Sequence, residues 1–273
     1  MAEFRPLPFG RQWKALLGAG SHRRWFGNIR RWLVKSERLK VVTTRAAAVL
    51  VVAPHPDDAE FGVAGTVVHW VREGKTVVYV VCTSGEKGTS DRSLQPERLA
   101  RIREQEQEAA ARVLGVREVV FLRCQDQGLE ETPSFRREIV RQIRIFRPTL
   151  VVTADPYRRY LWHRDHRVTG QVVLDAVYPY ARDHLAYPEL LDEGLEPHRV
   201  REVWCWAAED VNHRTDITDT FELKLAALRC HESQLTGFSV ADLEEWLRQR
   251  HRTMAEGTSY QLAEAFHRME ITR

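Results

Sequence analysis

The sequence predicts an α/β protein built on a mostly parallel β-sheet with helices on both faces. Strand-like and helix-like segments alternate from residue 46 onward, which is typical of repeated β-α-β units. The strand-like segments are apolar without alternation, as expected for strands that are covered on both sides. A chain of 273 residues is also long enough for one large domain of this class with a full core.

The strands are predicted from short runs of apolar and β-branched residues. The first run, Ala-Val-Leu-Val-Val-Ala, ends at Pro54 and is typical of a fully buried strand. The second and fourth runs have the same character, whereas the last is short. In chain order, the predicted strands are Ala48–Ala53, Thr76–Thr83, Glu118–Leu122, Thr149–Ala154, Glu202–Ala207 and Thr215–Thr218.

The helices are predicted from apolar residues at helical spacing between these runs. The first helix places Val63, Val67 and Val71 on one side, and the second ends at Gly115, a typical C-terminal stop. The predicted helices are Phe61–Arg72, Gln95–Leu114, Ser134–Phe146, Arg167–Val177 and Phe221–His231, followed by a mostly helical C-terminus.

This alternation predicts a Rossmann-like sheet, in which ligands bind beyond the carboxyl ends of the strands. We therefore look for functional residues directly after the first, second and fourth strands.

Charge is distributed unevenly along the chain. Residues 1–45 carry eleven Lys or Arg against two Glu, a net charge of +9, which leaves −6 on the remaining chain because the total is +3. We therefore predict a basic N-terminal extension, residues 1–45, and one domain, residues 46–273. A body of this charge does not predict a nucleic-acid-binding protein.

Residues 11–40 of the extension have the pattern of a basic amphipathic helix. Such a helix can contact a membrane surface, but we favour packing on the body or on a neighbouring subunit. No stretch approaches the ~20 apolar residues of a membrane-spanning helix, and the N-terminus has no secretory apolar segment. We expect a cytoplasmic protein.

Two polar motifs follow the first and fourth strands. Residues 54–60 read Pro-His-Pro-Asp-Asp-Ala-Glu, and residues 163–166 read His-Arg-Asp-His. His55 and Asp58 are three residues apart across a turn, so both can reach one metal ion. One further ligand from the second motif would give two His and a carboxylate around an open position, a catalytic zinc arrangement. An Asp that only caps the helix would explain one of the two adjacent carboxylates, but not both.

With these motifs the chain resembles the LmbE-like, or PIG-L-like, family of N-acetylglucosaminyl deacetylases. The resemblance runs from about Val49 to the C-terminus. Several ordered motifs at matching separations make the resemblance specific. They are Pro54–Glu60, Thr83–Thr89, Arg103 with Glu106, His163–His166, Lys224, His231 with Ser233 and Gln234, and Ala263–Phe266.

The resemblance implies zinc-dependent hydrolysis of the acetamide of an N-acetylglucosamine-containing substrate. It implies that His55, Asp58 and His166 bind Zn²⁺, or another divalent metal, and that Asp57 is the general base for the attacking water. Relatives also suggest a homo-oligomer with a small amino-sugar conjugate as its substrate.

Further roles follow from the same resemblance. His163 would stabilise the oxyanion or protonate the leaving amine, and Asp165 would orient it. Family members often carry a tyrosine near the second motif, and Tyr160 is the candidate here, although its spacing is one residue longer. Trp162 and Glu86 are further candidates for substrate binding.

Three other functions are compatible with this fold or with a metal site. A nucleotide-dependent dehydrogenase is rejected, because two carboxylates after the first strand would repel a pyrophosphate. A zinc hydrolase that acts on a non-sugar acyl amine or an ester would use the same metal chemistry and stays open. A protein that binds zinc without catalysis would need neither Asp57 nor His163.

Overall fold

The structure, a computed structural model, describes residues 46–160, 163–237 and 239–272. The basic extension with its predicted helix, residues 1–45, and Trp162 lie outside the described residues. Within the described part of the chain, no helix has both the length and the apolar character needed to cross a membrane.

One seven-stranded sheet forms the centre of the domain, in the order β3-β2-β1-β4-β5-β7-β6. The first five strands in this order are parallel, whereas β7 runs antiparallel to β5 and β6. The prediction of a mostly parallel sheet is confirmed. The strands are β1 (Val49–Ala53), β2 (Val77–Thr83), β3 (Glu118–Cys124), β4 (Leu150–Ala154), β5 (Glu202–Trp206), β6 (His213–Asp216) and β7 (Ala263–Glu270).

Helices cover both faces of the sheet, so the central strands β1, β2 and β4 are buried along their whole length. On β2, Val78 and Val80 pack with α3 and α4, whereas Tyr79 faces the opposite core with α1 and α2. The helices are α1 (Asp58–Arg72), α2 (Pro96–Leu114), α3 (Pro133–Phe146), α4 (Arg164–Asp175), α5 (Glu189–Asp192), α6 (Phe221–Leu228) and α7 (Val240–Ala255).

Two helices begin three residues earlier than predicted. α1 begins at Asp58 rather than Phe61, and α4 begins at Arg164 rather than Arg167. The last residues of each polar motif therefore lie in the first turn of a helix, and Asp57 and His163 directly precede these helices. Acidic residues are favoured there because they interact with the positive end of the helix dipole.

The prediction of a mostly helical C-terminus is wrong in its last part. α7 is helical, but Ala263–Glu270 forms β7 between β5 and β6. The segment is rich in Ala and Glu, which favour helices, so propensity alone misleads. Hydrogen bonds to two strands and the burial of Phe266 decide the outcome.

The sheet order places the two polar motifs side by side. After β1 the chain builds outward through β2 and β3, then returns to place β4 on the other side of β1. The carboxyl ends of β1 and β4 thus flank the point where the strand order reverses, which is where α/β sheets bind ligands.

Candidate metal centre

The turn between β1 and α1 separates two adjacent carboxylates. Asp57 has a left-handed backbone, with φ of 93°, a conformation that Asp tolerates better than most residues. Asp58 begins α1, and its Oδ2 accepts a hydrogen bond from the backbone N–H of His55 at 3.0 Å.

Two side chains of α2, four residues apart and therefore on one face of the helix, hold this turn. The Arg103 guanidinium donates to the carbonyl of Pro56 at 2.6 Å and to Asp57 Oδ2 at 3.2 Å. Gln107 accepts a hydrogen bond from the backbone N–H of Asp57 at 3.0 Å. Arg103 also donates to the carbonyl of Gly85, where a Cβ atom would collide with the guanidinium.

Asp58 lies between two imidazoles. Its Oδ2 is 3.1 Å from His55 Nδ1, and its Oδ1 is 3.4 Å from His166 Nε2. The structure therefore brings together the three side chains that were predicted to bind metal. His163 joins them: the donor atoms of His55, His163 and His166 lie within 4.8 Å of one another.

The second nitrogen of His55 faces two more carboxylates. His55 Nε2 is 3.2 Å from Asp126 Oδ1 and 3.3 Å from Asp165 Oδ2. Asp165 was predicted to orient His163, but its carboxylate contacts His55 and accepts backbone hydrogen bonds from Gln127 and Leu129. In the structure, Asp165 therefore positions His55.

These contacts make the centre strongly electronegative. Burial opposes protonation of His55, but hydrogen bonds to Asp126, Asp165 and Asp58 outweigh it and raise its pKa to about 11. Burial also opposes ionisation of Asp126, yet His55 and the Lys87 N–H lower the pKa of this carboxyl to about 2. Three ionised carboxylates thus share one imidazole, and the cluster has an excess of negative charge.

This donor set fits a divalent cation. Imidazole nitrogens and carboxylate oxygens suit zinc and related metals, and a deprotonated His needs a positive charge to replace its proton. Asp165, fixed by two backbone N–H groups, is placed to hold the far nitrogen of His55, an arrangement common around metal-binding histidines. The described residues therefore contain a candidate metal site, and its geometry does not identify the metal.

Two neighbours of the site have shifted pKa values. Burial and the Asp58 carboxylate raise the pKa of Asp57 to about 7, against the opposing effect of Arg103. Burial and the adjacent His55 and His166 lower the pKa of His163. Asp57 is thus poised to exchange a proton near neutral pH, and His163 is neutral there.

Asp126 comes two residues after β3 and was not predicted as a site residue. The predicted site residues follow the first, second and fourth strands, and the sequence after β3 contains no motif of this kind. Glu86 is linked to this residue, since its Oε1 accepts the backbone N–H of Asp126 at 2.8 Å. Asp126 in turn accepts from the Lys87 N–H at 3.0 Å, so the loops after β2 and β3 hold each other.

The structure describes two of the three substrate-binding candidates, Glu86 and Tyr160. Tyr160 is 88% exposed, and Trp162 lies outside the described residues. Glu86 accepts a hydrogen bond from the backbone of a neighbouring loop.

Comparison with known proteins identifies the family of the chain. The profile of the PIG-L family, described as GlcNAc-PI de-N-acetylase, matches residues 50–177. The chain is 37% identical over 186 residues to diacetylchitobiose deacetylase from Thermococcus kodakarensis, which covers 68% of this chain and 69% of that protein. It is 30% identical to 1D-myo-inositol 2-acetamido-2-deoxy-alpha-D-glucopyranoside deacetylase from Mycobacteroides abscessus, over 71% of this chain and 83% of that protein.

A solved structure supports the same family assignment. The N,N'-diacetylchitobiose deacetylase from Pyrococcus horikoshii superposes with a TM-score of 0.77 and 31% identity, covering 93% of this chain and 94% of that one. The chain belongs to the PIG-L family, and it is an enzyme of the N-deacetylase class.

Proposed function

We propose that the protein hydrolyses the acetamide of an N-acetylglucosamine-containing substrate with the help of a divalent metal, preferably zinc. The relatives that support this substrate class are named as deacetylases of diacetylchitobiose and of an acetamido-glucopyranoside of inositol. The observation that carries the proposal is the separation of the two adjacent carboxylates. Asp58 lies between His55 and His166, whereas Asp57 is held apart by Arg103.

We assign the metal to His55, Asp58 and His166. A divalent cation held there would supply a Lewis acid for the amide carbonyl and for the attacking water. Asp165 and Asp126 would keep the His55 ring oriented through its Nε2 atom.

The protein's own groups would then move the protons. Asp57 takes a proton from the water that attacks the acyl carbon, and a pKa of about 7 suits a base at neutral pH. His163 donates an N–H to the oxygen that becomes negative in the tetrahedral transition state. When the C–N bond breaks, protonated Asp57 returns its proton to the leaving nitrogen, which gives acetate and a free amine.

The test measures the release of amine and acetate from a panel of N-acetylglucosaminides. The protein is first treated with a chelator to remove bound metal, and release is measured before and after zinc is added. An Asp58→Asn variant is the matched control, because it keeps the size of the side chain and removes a proposed ligand charge. We expect zinc-dependent release by the wild type and none by the variant. Release only from non-sugar acyl amines or esters would show that the proposed substrate class is wrong. Full turnover after removal of the metal would contradict the proposed metal requirement.

A further inference from the structure

A cavity of about 350 Å³ opens beside Asp57, between the start of α1 and the α6–α7 region. Its apolar walls include Phe61 on α1 and Leu243 and Trp246 on α7, and Leu235 completes them. None of the three proposed metal ligands is among its described lining residues. The cavity therefore reaches the proposed base without being part of the metal site.

The size of this cavity indicates which part of a substrate it accepts. The methyl of an acetamide is about as large as a water molecule, whose share of liquid volume is ~30 Å³. An acetyl group would leave most of the cavity empty. A volume of about 350 Å³ is within the range of small-molecule sites, and it has room for a six-membered ring with substituents.

The charge of the lining restricts the class of that ring. Asp57 is the one carboxylate among the described lining residues, and these residues include no Lys or Arg. Arg250 lies 5.5 Å from the ring centroid of Trp246, but it does not line the cavity. The Asp57 carboxylate is already paired with Arg103, and the described lining offers an anionic group no Lys or Arg, so burial of such a group against these apolar walls is disfavoured.

Two aromatic side chains offer surface for an apolar ring face. Trp246 is 47% exposed and makes an edge-to-face contact with Phe61, with ring centroids 6.2 Å apart. An exposed Trp beside a cavity is a common anchor for rings that have an apolar face and a polar edge.

A buried polar side chain forms the inner end of the cavity. His231 lines it and is almost fully buried, and neither of its ring nitrogens has a hydrogen-bond partner. Nε2 is 3.3 Å from Glu60 Oε2, so Nδ1 is the nitrogen without a polar neighbour. Nδ1 has almost no accessible surface, so the apolar walls, and not this nitrogen, determine what the cavity accepts.

We propose that this cavity is an aglycone subsite that selects a neutral six-membered ring with an apolar face over anionic aglycones. The inference rests on the proposed function, because it assumes that the amino sugar is placed at the metal site beside Asp57. It implies that malate-like or phosphate-bearing conjugates are poor substrates for this chain.

The experiment compares binding of methyl, phenyl and carboxymethyl N-acetylglucosaminides to the full-length, zinc-loaded protein by calorimetry. Burial of the phenyl ring should make its glycoside bind about tenfold more tightly than the methyl glycoside. The carboxymethyl glycoside should bind more weakly than the methyl one.

Two variants address the cavity directly. Trp246→Ala removes one wall, and Leu235→Trp fills the space from a half-buried position. Each variant should reduce the ratio of the affinities for the phenyl and methyl glycosides to about one. This ratio does not depend on the fraction of the protein that is folded. Leu185→Ala is the control, because Leu185 is 74% exposed and does not line the cavity, and it should keep the ratio.

Equal affinities for the phenyl and methyl glycosides in the wild type would overturn the inference, as would failure to bind any of the three. So would a phenyl preference that survives in both cavity variants, or a preference for the carboxymethyl glycoside. Turnover measured in parallel separates the two proposals. Zinc-dependent release without a phenyl preference would leave the function standing, whereas a variant-sensitive preference without release would leave only the subsite.

Discussion

His55 and His251 are both buried imidazoles near carboxylates, but their pKa values shift in opposite directions. Burial opposes protonation of His55, yet Asp126, Asp165 and Asp58 raise its pKa to about 11. Burial and Lys224 lower the pKa of His251 to about 3. The first region attracts positive charge, whereas the second excludes it.

The difference lies in how the surrounding carboxylates are neutralised. Beside His251, Glu264 accepts hydrogen bonds from Lys224 Nζ at 2.7 Å, from the N–H of Gly65 at 3.0 Å and from Thr66 at 2.6 and 2.8 Å. Lys224 also donates to the carbonyl of Phe61 at 2.9 Å. We refer to Lys224 and Glu264 as the Lys224 pair, whose charges cancel within the protein.

The candidate metal site is not balanced in this way. Three carboxylates share one imidazole there, and the backbone N–H groups that bind them carry no net charge. A buried charge that the fold does not neutralise needs a partner from outside. The comparison therefore separates a charge pair that is balanced within the protein from a candidate cation site that is not.

The largest expected effect comes from Asp57→Asn. The change should lower kcat by about a thousandfold, because the amide cannot accept the proton, in line with the contribution of a general base. Zinc content measured by mass spectrometry should remain at the wild-type value. If zinc and activity are lost together, Asp57 is a ligand and the assigned roles are wrong.

The next largest effect is expected at the Lys224 pair. Lys224→Met leaves Glu264 buried without its cation and should reduce the free energy of unfolding by about 3 kcal/mol, as measured with urea.

The double variant Lys224→Met with Glu264→Gln is the matched control for that change. It removes both charges and should recover part of the loss. A single variant as stable as the wild type would show that the pair is not the balanced unit described above.

The effect of pH through His251 is smaller per pH unit. The unfolded side chain binds a proton below its ordinary pKa of 6.5, but the folded one does so only near 3. Stability should therefore be lost as the pH falls from 6.5 towards 3, by up to ~1.4 kcal/mol per pH unit from this group.

His251→Asn should reduce that slope. Its amide can replace the N–H that donates to the carbonyl of Ala263 at 2.8 Å, and it does not titrate. Urea unfolding at several pH values provides the measurement. An unchanged slope in the variant would assign the acid sensitivity to other groups.

The smallest effect is expected at Glu86→Gln. The neutral amide should weaken the hydrogen bond to the Asp126 N–H by about 1 kcal/mol and lower zinc affinity by about fivefold. Competition with a chelating indicator measures this, and Glu97→Gln on the outer surface is a suitable control. An unchanged affinity would show that this link between loops does not position Asp126.

Apolar runs and closely spaced polar motifs are local signals, and together with the family resemblance they predicted the sheet and the group of His55, Asp58 and His166. It did not predict Asp126 or the contact between Asp165 and His55, because both depend on loops brought together by the strand order. The strand at Ala263–Glu270 was missed for a related reason. Its partners β5 and β6 lie far away in the chain, and its composition favours a helix.

The most direct test of the excess negative charge around His55 is a calorimetric titration with zinc, using protein from which a chelator has removed any metal. We expect one zinc ion per chain in the wild type and in Lys224→Met, and loss of tight binding in Asp58→Asn. Stoichiometric tight binding that persists in Asp58→Asn, or none in the wild type, would contradict the assignment of this cluster as a metal site.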